Sequence, residues 1–195
     1  MSCEGCGKPA QMQCPQCKKE GVRVPSKFCD QACFKANWPA HKTKVHQASP
    51  LNTGRAFLEA KKAEPGVIAL KSGMLVKVLE PGKGDVAATA QSPCDVHYRG
   101  TLITGEEFDS SYARGEPATF APYQVIKGWT EALQLMPEGE KWEVYIPYEL
   151  AYGERGSPPK IPGFSTLVFT IELLKVRGSP KPAAEAAAAF AAAKA

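Results

Sequence analysis

The sequence lacks any apolar run long enough to cross a membrane, and it lacks a recognisable secretory signal. No hydrophobic stretch in its 195 residues approaches the ~20 residues that a membrane-spanning helix needs. The first residues, Met-Ser-Cys-Glu-Gly-Cys, contain neither the positive segment nor the apolar segment of a signal peptide. We therefore expect a cytoplasmic protein without membrane partners, with residence in the nucleus also open. Cysteines in such a reducing compartment are metal ligands more often than disulfides.

Beyond residue 47 the sequence has one cysteine and one histidine, and its acidic residues show no spacing that picks out a catalytic carboxylate pair. Of its three histidines, only His97 lies outside the first 47 residues, and it stands three positions from Cys94 in a predicted strand. Side chains at that spacing point to opposite faces of a strand, so the two residues form no catalytic dyad. Gly82-Lys83-Gly84 lacks the flanking residues of a phosphate-binding loop and favours a hairpin turn. An enzyme in this part of the chain would work without a nucleophile, a metal or a catalytic cofactor.

Cysteine and positive charge are concentrated near the N-terminus. Six of the seven cysteines fall between Cys3 and Cys33, and residues 1–50 carry eight Lys or Arg against three Asp or Glu. Ten of the last thirteen residues are alanine. This division predicts a small finger over residues 1–47, a linker over 48–71, a β-rich domain over 72–178 and a disordered tail over 179–195. We expect the protein to be a monomer. Within the linker we expect only a helical turn near 55–63.

The central part of the sequence has the pattern of an α+β domain. Short β-type runs bounded by glycine and proline predict strands at 74–79, 95–103, 141–147 and 166–176. A single helix is predicted within 125–136, where Ile126, Trp129 and Leu133 recur at three- and four-residue intervals. One short helix against four or five strands is typical of an α+β fold.

Eight cysteine and histidine residues stand in pairs at metal-ligand spacing. Two residues between ligands let a tight turn present both side chains to one tetrahedral ion, with Zn–S bonds of ~2.3 Å. Eight ligands fill two four-coordinate sites, so we expect two structural Zn²⁺ ions that supply most of the folding free energy of this segment. Free or disulfide-linked thiols and a redox C-x2-C pair are the less favoured alternatives. The predicted ligands are Cys3, Cys6, Cys14, Cys17, Cys29, Cys33, His41 and His46.

The segment from residue 3 to residue 46 resembles the N-terminal zinc finger of eukaryotic type 1 methionine aminopeptidases, a relative of MYND fingers. The resemblance is carried by Phe28-Cys29, Cys33-Phe34-Lys35, Trp38 and His41-Lys42. It implies interleaved ligand pairs, one zinc on Cys3, Cys6, Cys29 and Cys33 and the other on Cys14, Cys17, His41 and His46. It also implies docking on a partner, a ribosome or a protein, but not peptidase activity.

The positive charge of the finger is mild. Two Zn²⁺ ions with six thiolates would lower the surplus of residues 1–50 to about +3, without the dense basic stripe expected of a DNA reader. Lys42 and Lys44, with Lys18, Lys19 and Arg23, either contact RNA phosphates or form an ordinary solvated surface.

Aromatic residues are spread through the β-rich domain at Tyr98, Phe108, Phe120, Trp129, Tyr152 and Phe169. Taken singly, each is explained by packing between sheet and helix. Their neighbours, however, resemble the signature of the FKBP family, the tacrolimus-binding peptidyl-prolyl isomerases, over residues 73–176. The motifs that carry the resemblance are Val96-His97-Tyr98-Arg99-Gly100, Phe108-Asp109-Ser110-Ser111, Val125-Ile126-Lys127-Gly128-Trp129, Ala151-Tyr152-Gly153 and Thr166-Leu167-Val168-Phe169.

The resemblance implies a five-stranded antiparallel half-barrel around a short helix, with an apolar pocket for proline-containing peptides and tacrolimus-type macrolides. Trp129 would form its floor, and Asp109, paired with Arg114, Tyr152 and the backbone N–H of Ile126 would be its polar groups. Asp109 would act electrostatically or would order its neighbours. The expected activity is peptidyl-prolyl isomerisation in protein folding, and the alternative is an adaptor module with little turnover. The implied walls of the pocket are Tyr98, Phe108, Val125, Ile126, Ile161 and Phe169.

Four residues depart from the common family pattern. They are Ala118, Gln124, Ser157 and Lys160. Lys160 matters most, because it places a positive charge on the loop 156–163 over the pocket. We expect weaker macrolide binding and a mild preference for acidic substrates.

Overall fold

The computed structural model describes residues 1–20, 22 and 24–195. Arg23, one of the basic residues considered above, lies outside the described residues. The N-terminal finger is built around very few apolar side chains: Cys3, Cys14, Cys17 and Phe28 are its buried centre. Three of these four residues are predicted ligands, which agrees with a segment whose folding depends on metal. Its elements are β1 (Met12–Gln13), α1 (Pro15–Lys19), β2 (Lys27–Phe28), α2 (Gln31–His41) and a π-helical turn over Lys42–His46.

The predicted linker contains a long helix, α3 (Pro50–Lys62), rather than one helical turn. The side chain of Ser49 caps its N-terminus by accepting a hydrogen bond from the backbone N–H of Asn52. Packing on the next domain explains its length, since the rings of Phe57 and Tyr145 lie 5.9 Å apart. A Cβ on Gly54 would lie 2.5 Å from the hydroxyl of Thr166, so the glycine permits this close approach.

The domain that follows is an antiparallel sheet with a short central helix packed against its inner face. The sheet order is β3-β4-β9-β10-β6-β7, with β8 also paired to β6. It has seven strands where the resemblance implied five, because β3 adds an edge and two short segments both pair with β6. The seven strands are β3 (Val67–Ala69), β4 (Leu75–Glu80), β6 (Cys94–Leu102), β7 (Glu107–Ser110), β8 (Ala118–Phe120), β9 (Lys141–Ile146) and β10 (Leu167–Val176). A short strand outside this sheet is β5 (Val86–Ala87).

The core lies between the sheet and helix α5 (Lys127–Leu135). In β10, Leu167, Phe169 and Ile171 are buried while their neighbours are not, as the alternation predicts. The short helix α4 (Ser111–Arg114) follows β7 and is capped by the side chain of Ser110. The predicted α+β fold, an antiparallel half-barrel around a short helix, is confirmed.

The prediction of a disordered tail is wrong. Residues Lys181–Pro182 form β11, which pairs with β5, and Ala183–Ala193 form helix α6. Ala186 is fully buried, and the Phe190 ring lies 5.0 Å from that of Trp142. A helix of this length is marginal in water by itself, so its packing on the domain stabilises it. Through the described part of the chain, no helix is both long and apolar enough to span a membrane.

Candidate active site and metal centres

A cavity of about 370 Å³ opens where α5 meets strands β6, β7 and β10. Eight of the nine pocket residues predicted from the sequence line it, and Ile161 does not. Phe120 and Gln124 also line it and were not among the predicted site residues. The complete lining is Tyr98, Phe108, Asp109, Phe120, Gln124, Val125, Ile126, Trp129, Tyr152 and Phe169.

Trp129 forms the floor of the cavity and is only 4% exposed. Its indole meets the rings of Tyr98 and Phe169 edge-on, at centroid distances of 5.0 and 5.3 Å. Gly128 brings the helix this close to the sheet, because a Cβ there would lie 2.6 Å from a methyl carbon of Ile146. Within the described residues the indole N–H has no hydrogen-bond partner. The floor is therefore a rigid aromatic surface, suited to a flat apolar ring.

The side wall depends on a glycine in strand β6. A Cβ on Gly100 would lie 2.6 Å from the Phe169 ring and 2.7 Å from the Phe108 ring. Without a side chain at this position, the two rings meet edge to face at 5.5 Å. The FKBP-like motif around Tyr98 thus has a steric reason for its glycine.

Three polar side chains form a network at the rim. The hydroxyl of Tyr98 donates to Asp109 over 2.5 Å, and the guanidinium of Arg114 donates to the other carboxylate oxygen over 2.5 Å. Arg114 also donates to the Tyr98 hydroxyl over 2.9 Å. Burial alone would raise the pKa of Asp109, but the hydrogen bonds from Tyr98 and Arg114 hold it below its ordinary value. Asp109 is therefore an ionised acceptor that orders both neighbours.

Two further groups can donate hydrogen bonds into the cavity. The backbone N–H of Ile126 stands just before α5, and no protein acceptor for it lies in the described part of the chain. Tyr152 is 40% exposed, and its partial burial together with the nearby Asp109 raises the pKa of its phenol. The phenol stays protonated at neutral pH, so both groups remain available to a bound carbonyl or amide.

Ile161 lies beside the cavity, in a loop that we call the flap (residues 154–163). Ser157 and Ile161 exchange two backbone hydrogen bonds of 2.9 and 3.0 Å and close a hairpin. The Ile161 side chain is 4% exposed and lines a side cleft, which shares Phe108, Asp109 and Tyr152 with the cavity. Its neighbour Lys160 directs its ammonium to the backbone carbonyl of Phe108, 2.8 Å away.

The eight predicted metal ligands form two clusters in the interleaved arrangement that the resemblance implied. Cys3, Cys6, Cys29 and Cys33 make up one cluster and Cys14, Cys17, His41 and His46 the other, with the ligand atoms of each within 4.8 Å of one another. In the first cluster, two Sγ–Sγ pairs are 3.5 Å apart. In the second, Cys17 Sγ and His41 Nε2 are 3.4 Å apart. Tetrahedral zinc with ~2.3 Å Zn–S bonds places sulfur atoms ~3.8 Å apart, so both donor sets fit this ion.

Glu20 supports the second cluster and was not foreseen from the sequence. Its carboxylate lies 2.8 Å from Nδ1 of His46, and both side chains are buried. A carboxylate on the second ring nitrogen orients a metal-binding imidazole and leaves Nε2 free for the ion. The Nδ1 atom of His41 is also buried but has no partner within residues 1–20, 22 and 24–195. The one signal in the sequence is that Glu20 stands three residues after Cys17 and is one of three acids in the first 50 residues.

The aromatic cavity of the half-barrel is suited to bind a flat apolar ring through packing and a few hydrogen-bond donors. It offers no group for a covalent step among the residues that line it. Residues 84–174 match the model of the FKBP-type peptidyl-prolyl cis-trans isomerases. Residues 2–48 match a family described as zf-MYND-like zinc finger, mRNA-binding. The chain belongs to the FKBP-type isomerase family and carries a MYND-like zinc finger at its N-terminus, as predicted.

Relatives and solved structures agree with this assignment. The macrophage infectivity potentiator of Trypanosoma cruzi is 48% identical over 128 residues, 66% of this chain and 65% of that protein. The FKBP-type 22 kDa isomerase of Escherichia coli is 52% identical over 63% of this chain and 59% of its own length. This chain thus spans less than two thirds of either curated relative.

The structural matches cover more of the related chain. A peptidyl-prolyl isomerase of Pseudomonas syringae aligns with a TM-score of 0.62 and 42% identity, over 66% of this chain and 94% of that one. FkpA from E. coli aligns with a TM-score of 0.63 and 39% identity, over 79% and 74%.

Proposed function

We propose that this protein is a peptidyl-prolyl cis–trans isomerase that acts on proline-containing peptides and proteins. The observation that carries the proposal is the cavity floored by Trp129 and walled by aromatic rings, with hydrogen-bond donors at its rim. Rotation about an X–Pro bond breaks no covalent bond, and its barrier of ~18–20 kcal/mol comes from amide resonance. A water-poor pocket disfavours the charge-separated planar amide relative to the twisted one. Each ~1.4 kcal/mol removed from the barrier raises the rate about tenfold.

Each group in the cavity has a distinct proposed role. The indole of Trp129 seats the proline ring, and the N–H of Ile126 holds a substrate carbonyl. The hydroxyl of Tyr152 donates to the amide as it twists. Asp109 orders Arg114 and Tyr98 through the hydrogen bonds described above, which supports an ordering role over a direct electrostatic one.

The test is a protease-coupled assay of the full chain on a tetrapeptide with one proline. We expect acceleration over the uncatalysed rate and a loss of at least about tenfold in kcat/KM for Trp129→Ala, the cost of removing an apolar platform worth ~1.5 kcal/mol or more. Tyr123→Ala, an exposed aromatic outside the cavity, is the control and should change little. No acceleration by the wild type would favour the adaptor alternative. A loss below threefold for Trp129→Ala would remove the floor assignment.

We also propose that the finger holds two Zn²⁺ ions, one in each cluster, and that both are structural. The two separate sets of four donors support this count, and four protein ligands leave no position for a substrate. Elemental analysis of the full chain should give two zinc atoms per molecule. A content of one zinc atom per molecule that persists after weakly bound metal is removed would contradict the proposal.

For the finger, we propose docking on the ribosome. The mRNA-binding description of the matching family supports an RNA-containing partner, and Lys18, Lys19, Lys42 and Lys44 are exposed on its surface. Binding through phosphates should weaken steeply with salt. Co-sedimentation of the full chain with ribosomes at low and moderate salt tests this. Retention by a purified protein instead of by ribosomes or rRNA would favour a protein partner.

We further propose a cytoplasmic or nuclear location and weak binding of tacrolimus-type macrolides. The thiol-rich donor sets need a reducing environment to stay loaded with metal, which supports the location. The flap lysine beside the cavity supports the weak binding. Fractionation of cells and calorimetric titration with a macrolide test the two statements.

A further inference from the structure

A second groove of about 570 Å³ lies between the finger and the flap, and none of the eight metal ligands lines it. The finger contributes Val22 and Val45, and the segment that leads into α3 contributes Ala48 and Pro50. The flap contributes Pro158, Pro159 and Pro162. The walls are therefore mainly aliphatic or proline. The two charged residues at the rim, Glu154 and Arg155, are of opposite sign, so the groove favours an uncharged occupant.

The finger-side wall is held in place by contacts with the isomerase domain. The side-chain amide of Asn52 donates to the backbone carbonyl of His46 over 2.7 Å and joins the end of the finger to α3. Helix α3 in turn packs on the sheet through Gly54 against Thr166 and Phe57 against Tyr145. Hydrogen bonding and packing thus connect the finger-side wall to the isomerase domain, which also carries the flap.

The groove adjoins the cavity along the flap, through the side cleft. The side cleft shares Phe108, Asp109 and Tyr152 with the cavity, and it shares Pro158, Pro159 and Ile161 with the groove. Three adjoining pockets therefore extend from the Trp129 floor past the flap hairpin to the finger, and the charged side chains of Asp109 and Lys160 lie in the middle one.

We propose that this groove binds an extended, uncharged apolar segment of the same client polypeptide whose proline occupies the cavity. The zinc finger is then part of the substrate-binding surface and not only a targeting module. This inference rests on the proposed isomerase function. It implies that short peptides occupy the cavity alone, whereas long unfolded chains also engage the groove and gain affinity from it.

The experiment compares two substrates and two variants of the full, zinc-loaded chain. Ala48→Glu places a charge in the groove at an exposed position, and Ala36→Glu makes the same change on an exposed face of α2 that does not line it. The substrates are a proline tetrapeptide and a protein whose refolding is limited by proline isomerisation. Ala48→Glu should lower catalysis of refolding by about tenfold, the effect of losing the burial of one apolar side chain, with the tetrapeptide kcat/KM unchanged. Ala36→Glu should change neither.

Equal effects of Ala48→Glu on both substrates, or none on refolding, would overturn the proposal. A change in oligomeric state on sedimentation, with refolding catalysis intact, would assign the groove to a second copy of the chain and would also overturn it. Failure of the wild type on the tetrapeptide would instead refute the isomerase function itself. The wild type and the two variants should have equal zinc content and equal circular dichroism spectra. This control ensures that folded molecules are compared.

Discussion

The ammonium of Lys160 donates a hydrogen bond to the backbone carbonyl of Phe108 over 2.8 Å. This contact joins the tip of the flap to strand β7, one residue before Asp109. The positive charge therefore lies at the side cleft next to the cavity, where we expect a residue beside a bound proline to lie. An acidic side chain there can accept from the same ammonium, which gives the expected preference for acidic substrates a structural basis.

Replacing this lysine should reduce the preference. For Lys160→Met, the ratio of kcat/KM for a tetrapeptide with Glu before proline to one with Leu should fall by about two- to fivefold, the range of an exposed ion pair. Lys175→Met, an exposed lysine on β10 outside the cavity, should leave the ratio unchanged. The same ratio in Lys160→Met and wild type would show that the flap charge takes no part in selection.

The network around Asp109 predicts a pH dependence of stability. Since hydrogen bonds from Tyr98 and Arg114 hold the pKa of Asp109 below its unfolded value of about 3.9, the carboxylate stabilises the fold above that pH. The contribution is lost as the pH falls through the lower, folded-state pKa. Because the Asp109 side chain is 45% exposed, we expect about 1 kcal/mol or less.

Urea unfolding of wild type and Asp109→Asn at pH 7 and pH 3 measures this effect. The variant should be less stable at pH 7, and the difference between the two proteins should shrink at pH 3. Glu116→Gln, an exposed carboxyl outside the network, controls for loss of one negative charge. A difference that grows on acidification would mean that the sign is wrong.

The contact between Glu20 and His46 predicts a specific loss of metal affinity. Glu20→Gln removes the buried charge that orients the imidazole, so zinc affinity measured by chelator competition should fall about 10- to 100-fold. Glu59→Gln, an exposed acid on α3, should leave the affinity as it was. Unchanged affinity in Glu20→Gln would assign Glu20 a packing role only. Tetrapeptide isomerisation should persist in both variants, because the domain that forms the cavity has a hydrophobic core separate from that of the finger.

Local patterns in the sequence predicted the elements around the cavity well. The helix expected within 125–136 is Lys127–Leu135, and the strand expected at 95–103 is Cys94–Leu102. Both depend on periodicity within one segment, which a sequence displays directly. The ligand pairs were equally local, since short spacings place two donors on one turn.

Features that depend on distant parts of the chain were not predictable in this way. Glu20 meets His46 across 26 positions, and the groove forms only when the finger and the flap come together. The sequence of α6 is alanine-rich and prone to form a helix, but it shows no apolar stripe that predicts docking. Packing on the domain stabilises both α3 and α6. Phe120 enters the cavity because β8 pairs with β6, which no spacing in the sequence indicates.

The docked C-terminal helix makes a final prediction that separates a folded tail from a disordered one. Phe190→Ala removes a partly buried ring that packs on Trp142, and it should cost about 2 kcal/mol of unfolding free energy, less than a fully buried Phe. Ala188→Gly, at an exposed helical position, should cost about 1 kcal/mol only if the helix is formed. Both changes lie outside the cavity, so tetrapeptide kcat/KM should stay constant. Urea unfolding of the full chain supplies the measurement, and two variants as stable as the wild type would show that the tail contributes nothing to the fold. Loss of stability in Phe190→Ala alone would instead indicate a docked ring without a formed helix.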